Sequence, residues 1–159
     1  MDFQNEIFSE NIEHSSEKIL EKVKKGEWND ILYGLCSIKE NIVLLNYVYF
    51  KHIAKEDTYK YILNYLVTSL DNMLIMNSKF IVHLNMKNLT ITDIDKHKIF
   101  IQEMADCFKN RYPQKLEKCY VYNAPFIFSQ IYNMIGVFID KETQQKIELV
   151  NKPVKTLHP

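Results

Sequence analysis

Apolar residues recur at steps of three and four from Tyr59 onward, at Tyr59, Ile62, Leu63, Leu66, Val67, Leu70, Met73 and Leu74. That spacing is one face of a long helix, and Asp57 and Thr58 are placed to cap it. Ser15 to Lys25 predicts a shorter amphipathic helix, with Ile19, Leu20 and Val23 on one face and Gly26 to end it. Trp28, Ile31, Leu32 and Leu35 continue a helical spacing to about Cys36, and Thr92 or Asp93 starts another helix that carries Ile94, Ile99, Ile101, Met104 and Phe108 down to Asn110. Phe126 to Phe138 is apolar nearly all round, interrupted only by Ser129, Gln130 and Asn133, and predicts a helix buried on both sides.

Between these lie runs of a different kind. Ile42 to Phe50 is β-branched and aromatic and predicts a strand. Lys79 to Leu84 is continuous enough to be buried on both faces; Cys119 to Asn123 and Ile147 to Val150 predict two more strands. Strands alternating with helices give an α/β domain with a mostly parallel sheet and helical crossovers. The expected division is a short helical lead at 1–40, one domain at 41–151 and a tail at 152–159.

Composition narrows the function. With 159 residues and 47% hydrophobic side chains, the chain can build one sizeable core. Twenty basic and twenty acidic residues cancel, which argues against a nucleic-acid partner. Lys22, Lys24 and Lys25 cluster, but Glu21 and Glu27 dilute them into a solvated helix face. Cys36, Cys107 and Cys119 have no metal-ligand spacing, and the odd count without a signal sequence points to a reducing compartment. Five histidines are scattered without pairing, so no metal is expected. The longest apolar run is too short to span a bilayer, and a cytoplasmic protein is expected. The wealth of Asn, Ile, Lys and Tyr is that of an AT-rich genome, as in viruses and parasites. Three glycines cannot make a phosphate loop, and Ser129 has no nucleophile elbow around it, so no enzyme is expected.

Four motifs in order point further. Ile81-Val82-His83-Leu84-Asn85-Met86-Lys87-Asn88 is a strand and turn; Tyr112-Pro113-Gln114-Lys115-Leu116 follows; then Asn123-Ala124-Pro125-Phe126-Ile127-Phe128; then Asp140 to Ile147. Together they resemble the CRAL-TRIO lipid-binding family over Lys79 to Ile147. Asn85 and Asn88 stand where that family commonly has Asp and Gly, and Asn tolerates the positive φ such a turn needs.

The resemblance implies a lipid pocket beneath an apolar gate helix, lined by Phe126, Phe128, Ile131, Tyr132, Ile135 and Phe138 together with Phe80 and Val82. Composition alone fits an ordinary core helix as well. In phosphatidylinositol-binding members the acidic residue after Tyr-Pro and the Lys before the final Ile meet the headgroup. Lys146 matches that Lys; Gln114 replaces the acid, and Lys115 holds the next basic position. Gln114 keeps hydrogen-bonding capacity but carries no charge to position Lys146. Phe80 and Val82 replace the small hydroxyl residues of phosphatidylcholine-binding members. The implied function is binding a phospholipid, phosphatidylinositol first, and transferring or presenting it between membranes, with transient membrane association and no cofactor besides the lipid. The chain is short for the family, and a second copy could close the pocket as a homodimer. The rival reading is a CRAL-TRIO scaffold that binds proteins.

Overall fold

The computed structural model describes residue 8 and residues 14–126, 128–137 and 139–150, the side chains of Phe128, Ile131, Met134 and Ile135 excepted. Within that range the elements run α1 (Ser16–Lys25), α2 (Trp28–Leu35), β1 (Cys36–Lys39), β2 (Ile42–Asn46), α3 (Tyr47–Ile53), α4 (Tyr59–Met73), β3 (Phe80–Asn85), α5 (Ile91–Lys96), α6 (Lys98–Arg111), β4 (Leu116–Tyr122), α7 (Phe128–Ile135), α8 (Lys141–Gln145) and β5 (Ile147–Leu149). The strands form one sheet in the order β1-β2-β3-β4-β5. β1 and β2 are an antiparallel hairpin that turns at Glu40, whose φ is 57°. All later neighbours are parallel, so helices must carry the chain back between them. The α/β class and mostly parallel sheet expected from the alternation are present.

Several boundaries move for local reasons. The apolar run from Ile42 does not stay extended to Phe50. It stops at Asn46, whose Oδ1 accepts from the Val48 N–H at 3.4 Å and starts α3. The helix expected from Thr92 or Asp93 begins earlier and is two helices. Thr90 Oγ1 accepts from the Asp93 N–H at 3.1 Å while Asp93 Oδ2 accepts from the Thr90 N–H at 3.3 Å, a reciprocal capping box. The break falls at His97, which turns inward, with Nδ1 2.6 Å from the Tyr59 hydroxyl and its ring edge-on to Phe50. β4 starts at Leu116 rather than Cys119. α7 is shorter than the Phe126 to Phe138 expected: Asn123, with φ 56°, and Pro125 form a turn before it, and Phe138 lies outside the described residues.

Parallel register separates the two sheet faces. Val43, Val82, Cys119 and Ile147 are level and share one face. That face joins Ile62, Leu66 and Leu70 of α4 and Phe100 of α6 in one continuous core. Ile19 of α1 and Ile31 of α2, both fully buried, belong to the same core. Leu44, His83 and Tyr120 are level on the opposite face, with Asn46, Asn85 and Tyr122 one step on. There the Phe8 ring meets Tyr122 edge-on at 5.3 Å.

Candidate functional site

The four motifs converge on β3, β4 and β5, and the structure shows what holds each. Asn85 ends β3; its Oδ1 accepts from the Lys87 N–H and from Asn123 Nδ2, both at 3.0 Å. One carboxamide oxygen therefore shapes the turn after β3 and ties it to the turn after β4. Asn88 takes φ 74°, the positive value expected of it, and its carbonyl accepts from Lys51 Nζ at 2.7 Å. Lys51 also lies 3.4 Å from Asp93, so this corner is fixed by charge as well as by turn chemistry.

Tyr112 anchors the Tyr-Pro-Gln-Lys segment. Its ring meets Phe80 edge-on at 6.3 Å and Phe108 at 5.5 Å, and its hydroxyl donates to Asp71 at 2.7 Å. Burial, and then the Asp71 carboxylate that accepts its proton, push this phenol up to about 12. The Lys115 carbonyl accepts from the Phe80 N–H at 2.9 Å, and the register slips beside it between Phe80 and Ile81. Gln114 is exposed at φ 61°, a conformation that costs a residue with a Cβ about 1–2 kcal/mol. It has no hydrogen-bond partner among the described residues.

The closing motif is a cap. Asp140 Oδ1 accepts from the Thr143 N–H at 2.7 Å and starts α8, and that bond holds the Asp140 carboxyl below its ordinary range. α8 delivers Lys146 to the mouth of β5. Lys146 is half-buried, and its ammonium lies 3.9 Å from Glu142, a loose pair. Its carbonyl accepts from the Cys119 N–H at 2.9 Å. Lys146 is therefore level with the interior of β4, whereas Gln114 precedes that strand. At about 3.3 Å per residue, the two stand roughly 10 Å or more apart along the strand direction. They share one end of the sheet without touching.

Phe126 lies past the far end of β4, a strand about 20 Å long by its rise, and α7 leads from there back to α8. Phe126 is 98% exposed and precedes α7. Tyr132 is half-buried and its hydroxyl donates to the Gln144 carbonyl at 3.2 Å. Gln144 Nε2 donates to the carbonyls of Gly136, at 3.1 Å, and Ile139, at 2.8 Å, so α7 is stitched to α8 through one side chain. Phe128, Ile131 and Ile135 fall within α7, but their side chains, like Phe138, lie outside what is described. Phe80 and Val82, 2% and 6% exposed, sit in the packed core with α4 and α6. Among the described residues no group of three or more His, Cys, Asp or Glu converges to hold a metal.

Sequence reasoning missed one cluster, on the opposite sheet face. His83 is buried with Nδ1 2.6 Å from the Tyr122 hydroxyl, and its ring stacks on Tyr120 at 5.1 Å. Burial lowers its basicity. Alternation along β3 and β4 placed these three on one face, but scattered histidines gave no reason to look there.

Over residues 39–158 the sequence matches the family model described as the CRAL/TRIO domain. The chain belongs to the CRAL/TRIO domain family. This is a family of lipid-binding and lipid-transfer proteins. The Sec14 cytosolic factor of Schizosaccharomyces pombe is 32% identical over 73 residues, covering 46% of this chain and 26% of that protein. The SEC14 cytosolic factor of Yarrowia lipolytica is 29% identical over 72 residues, 45% of this chain and 15% of that protein. The chain thus spans about a quarter or less of the curated relatives named here. The crystal structure of Sfh5 superposes with a TM-score of 0.61 at 17% identity, covering 78% of this chain and 50% of that one, which shows the shared CRAL/TRIO fold. No helix among the described residues is long and apolar enough to cross a membrane.

Proposed function

We propose that this chain binds a phospholipid, phosphatidylinositol first, and transfers or presents it between membranes as a transiently membrane-bound cytoplasmic protein. The observation that carries the reading is the cap at Asp140 and Thr143 that sets Lys146, half-buried and loosely paired, at the mouth of β5 within a CRAL/TRIO domain. Acyl burial contributes roughly 0.8 kcal/mol per methylene, but the bilayer offers nearly the same. The two terms cancel, so selectivity rests on the polar headgroup contacts of Lys146, Lys115 and Gln114. The acyl chains would run along β4 beneath α7, with Phe126 at the protein surface.

A second reading, a protein-binding scaffold, draws support from Phe80 and Val82, which fill the core at positions where phosphatidylcholine-binding members of the family carry small hydroxyl residues. Native mass spectrometry with lipid extraction separates the two. A stoichiometric phospholipid is expected, together with phosphatidylinositol transfer between vesicles. Lys146→Ala should cut that transfer about tenfold or more with the melting temperature unchanged, and Gln114→Glu should raise it by restoring a carboxylate. No bound lipid and no transfer would leave the scaffold; unchanged transfer in Lys146→Ala removes Lys146 from the headgroup site.

A further inference from the structure

We infer that the chain holds a second small-molecule site, on the sheet face opposite α4 and α6, for a small uncharged ring-bearing molecule with one oxygen acceptor. A cavity of about 640 Å³ lies there between α1, α2 and the first two strands. That volume is in the range of ligand sites, which in parallel sheets gather at the carboxyl ends of the strands. Ser37, Leu44 and Asn46 form its floor, and Phe8, Tyr33 and Tyr49 supply aromatic walls. The Tyr49 wall comes close because position 34 is glycine: a Cβ there would collide with the ring.

Asn46 gives the site its polarity. It ends β2 on the same sheet face as Leu44's register partners, and its Oδ1 is committed to the Val48 N–H. Its Nδ2 is screened from water and has no acceptor among the described residues. A buried donor without a partner is costly and rare, and a ligand oxygen at the cavity floor, met by a small side-chain shift, would satisfy it. The mouth sets the ligand's charge. Lys18, Lys22 and Lys25 face Glu21, Glu27 and Asp30, three against three. Lys22 is 3.2 Å from Asp30 and 3.8 Å from Glu27, and Lys25 is 3.9 Å from Glu21, so most of these charges are already matched. Such a mouth favours a neutral guest over an anion. The site shares no residue with the proposed lipid site, and the two readings stand or fall separately.

Two probes of similar shape, acetophenone and ethylbenzene, test the inference by amide NMR titration of the full chain. Acetophenone should bind about tenfold tighter, the net worth of satisfying one buried amide donor, and should shift the Asn46 side-chain amide and the Leu44 backbone. Asn46→Asp keeps the oxygen that caps α3 and removes the donor, so the preference should fall to about onefold. Leu44→Trp crowds the floor beside Asn46 and should weaken binding of both probes with the fold intact. Equal affinity for the two probes, no binding of either, shifts centred on α7, or affinities unchanged by Leu44→Trp would each overturn it.

Discussion

Gly34→Ala sets two opposed terms against each other within α2. In an ordinary helix the change stabilises by about 1 kcal/mol, because alanine loses less freedom on folding. Here the new Cβ would lie 2.7 Å from Tyr49 Cε1 and closer still to Cζ and Cε2. Tyr49 is buried, its hydroxyl 3.1 Å from His14 Nδ1 and the two rings edge-on at 5.8 Å, so the ring has little room to withdraw. Overpacking of this kind costs about 1–3 kcal/mol, and a displacement of most of an ångström belongs at the upper end. The net is a loss of about 2 kcal/mol, or roughly 4–8 °C in Tm for a chain of this size. Thermal melts checked by urea unfolding measure it. In a Tyr49→Leu background the clash is gone, and the same Gly34→Ala change should become neutral or stabilising, a coupling of about 2–3 kcal/mol across the cycle. A raised Tm for Gly34→Ala in the parent chain would refute the reasoning.

Other outcomes follow from the same geometry. Burial is the leading cause that lowers the basicity of His52, His83 and His97 below the ordinary 6.5. The unfolded chain therefore takes up protons first as pH falls, so stability is complete above 6.5 and declines below it. Melting temperatures recorded from pH ~7.5 down to ~5.5 should fall steadily, and a flat profile would mean these rings are not held neutral. Thr90→Ala removes one half of the capping box and should cost about 1 kcal/mol by urea titration, with Thr90→Ser nearly neutral. A loss as large in Thr90→Ser would assign the effect to packing.

The alternation of helix and strand was legible because α4 keeps a clean helical period while β3 and β4 are short runs set between turn residues. Boundaries were harder where one residue outweighs a pattern. Asn46 sits inside an apolar run, and nothing in the run shows that its side chain will cap a helix rather than pair across a sheet. β1 was invisible for a related reason: Cys36 to Lys39 follows Leu35 without a break, and only its pairing with β2 makes it a strand. The motif residues were legible as motifs, yet their work proved partly structural. Asn85 and Asn123 bond to each other, Asp140 caps α8, and Tyr112 fastens the end of α6 to α4 through Asp71. Phe80 and Val82 could be assigned to a sheet face from alternation, but whether that face meets a ligand or another helix depends on α4 and α6, which lie far off in sequence.

The strand order has a consequence for how the molecule is made. Each strand pairs with the one synthesised just before it, so a chain emerging from the ribosome can extend the sheet one unit at a time, beginning with the β1–β2 hairpin. Loops stay local and closure entropy is met in small instalments. No described strand waits for a distant partner, and the growing edge of the sheet is the one the next segment will cover.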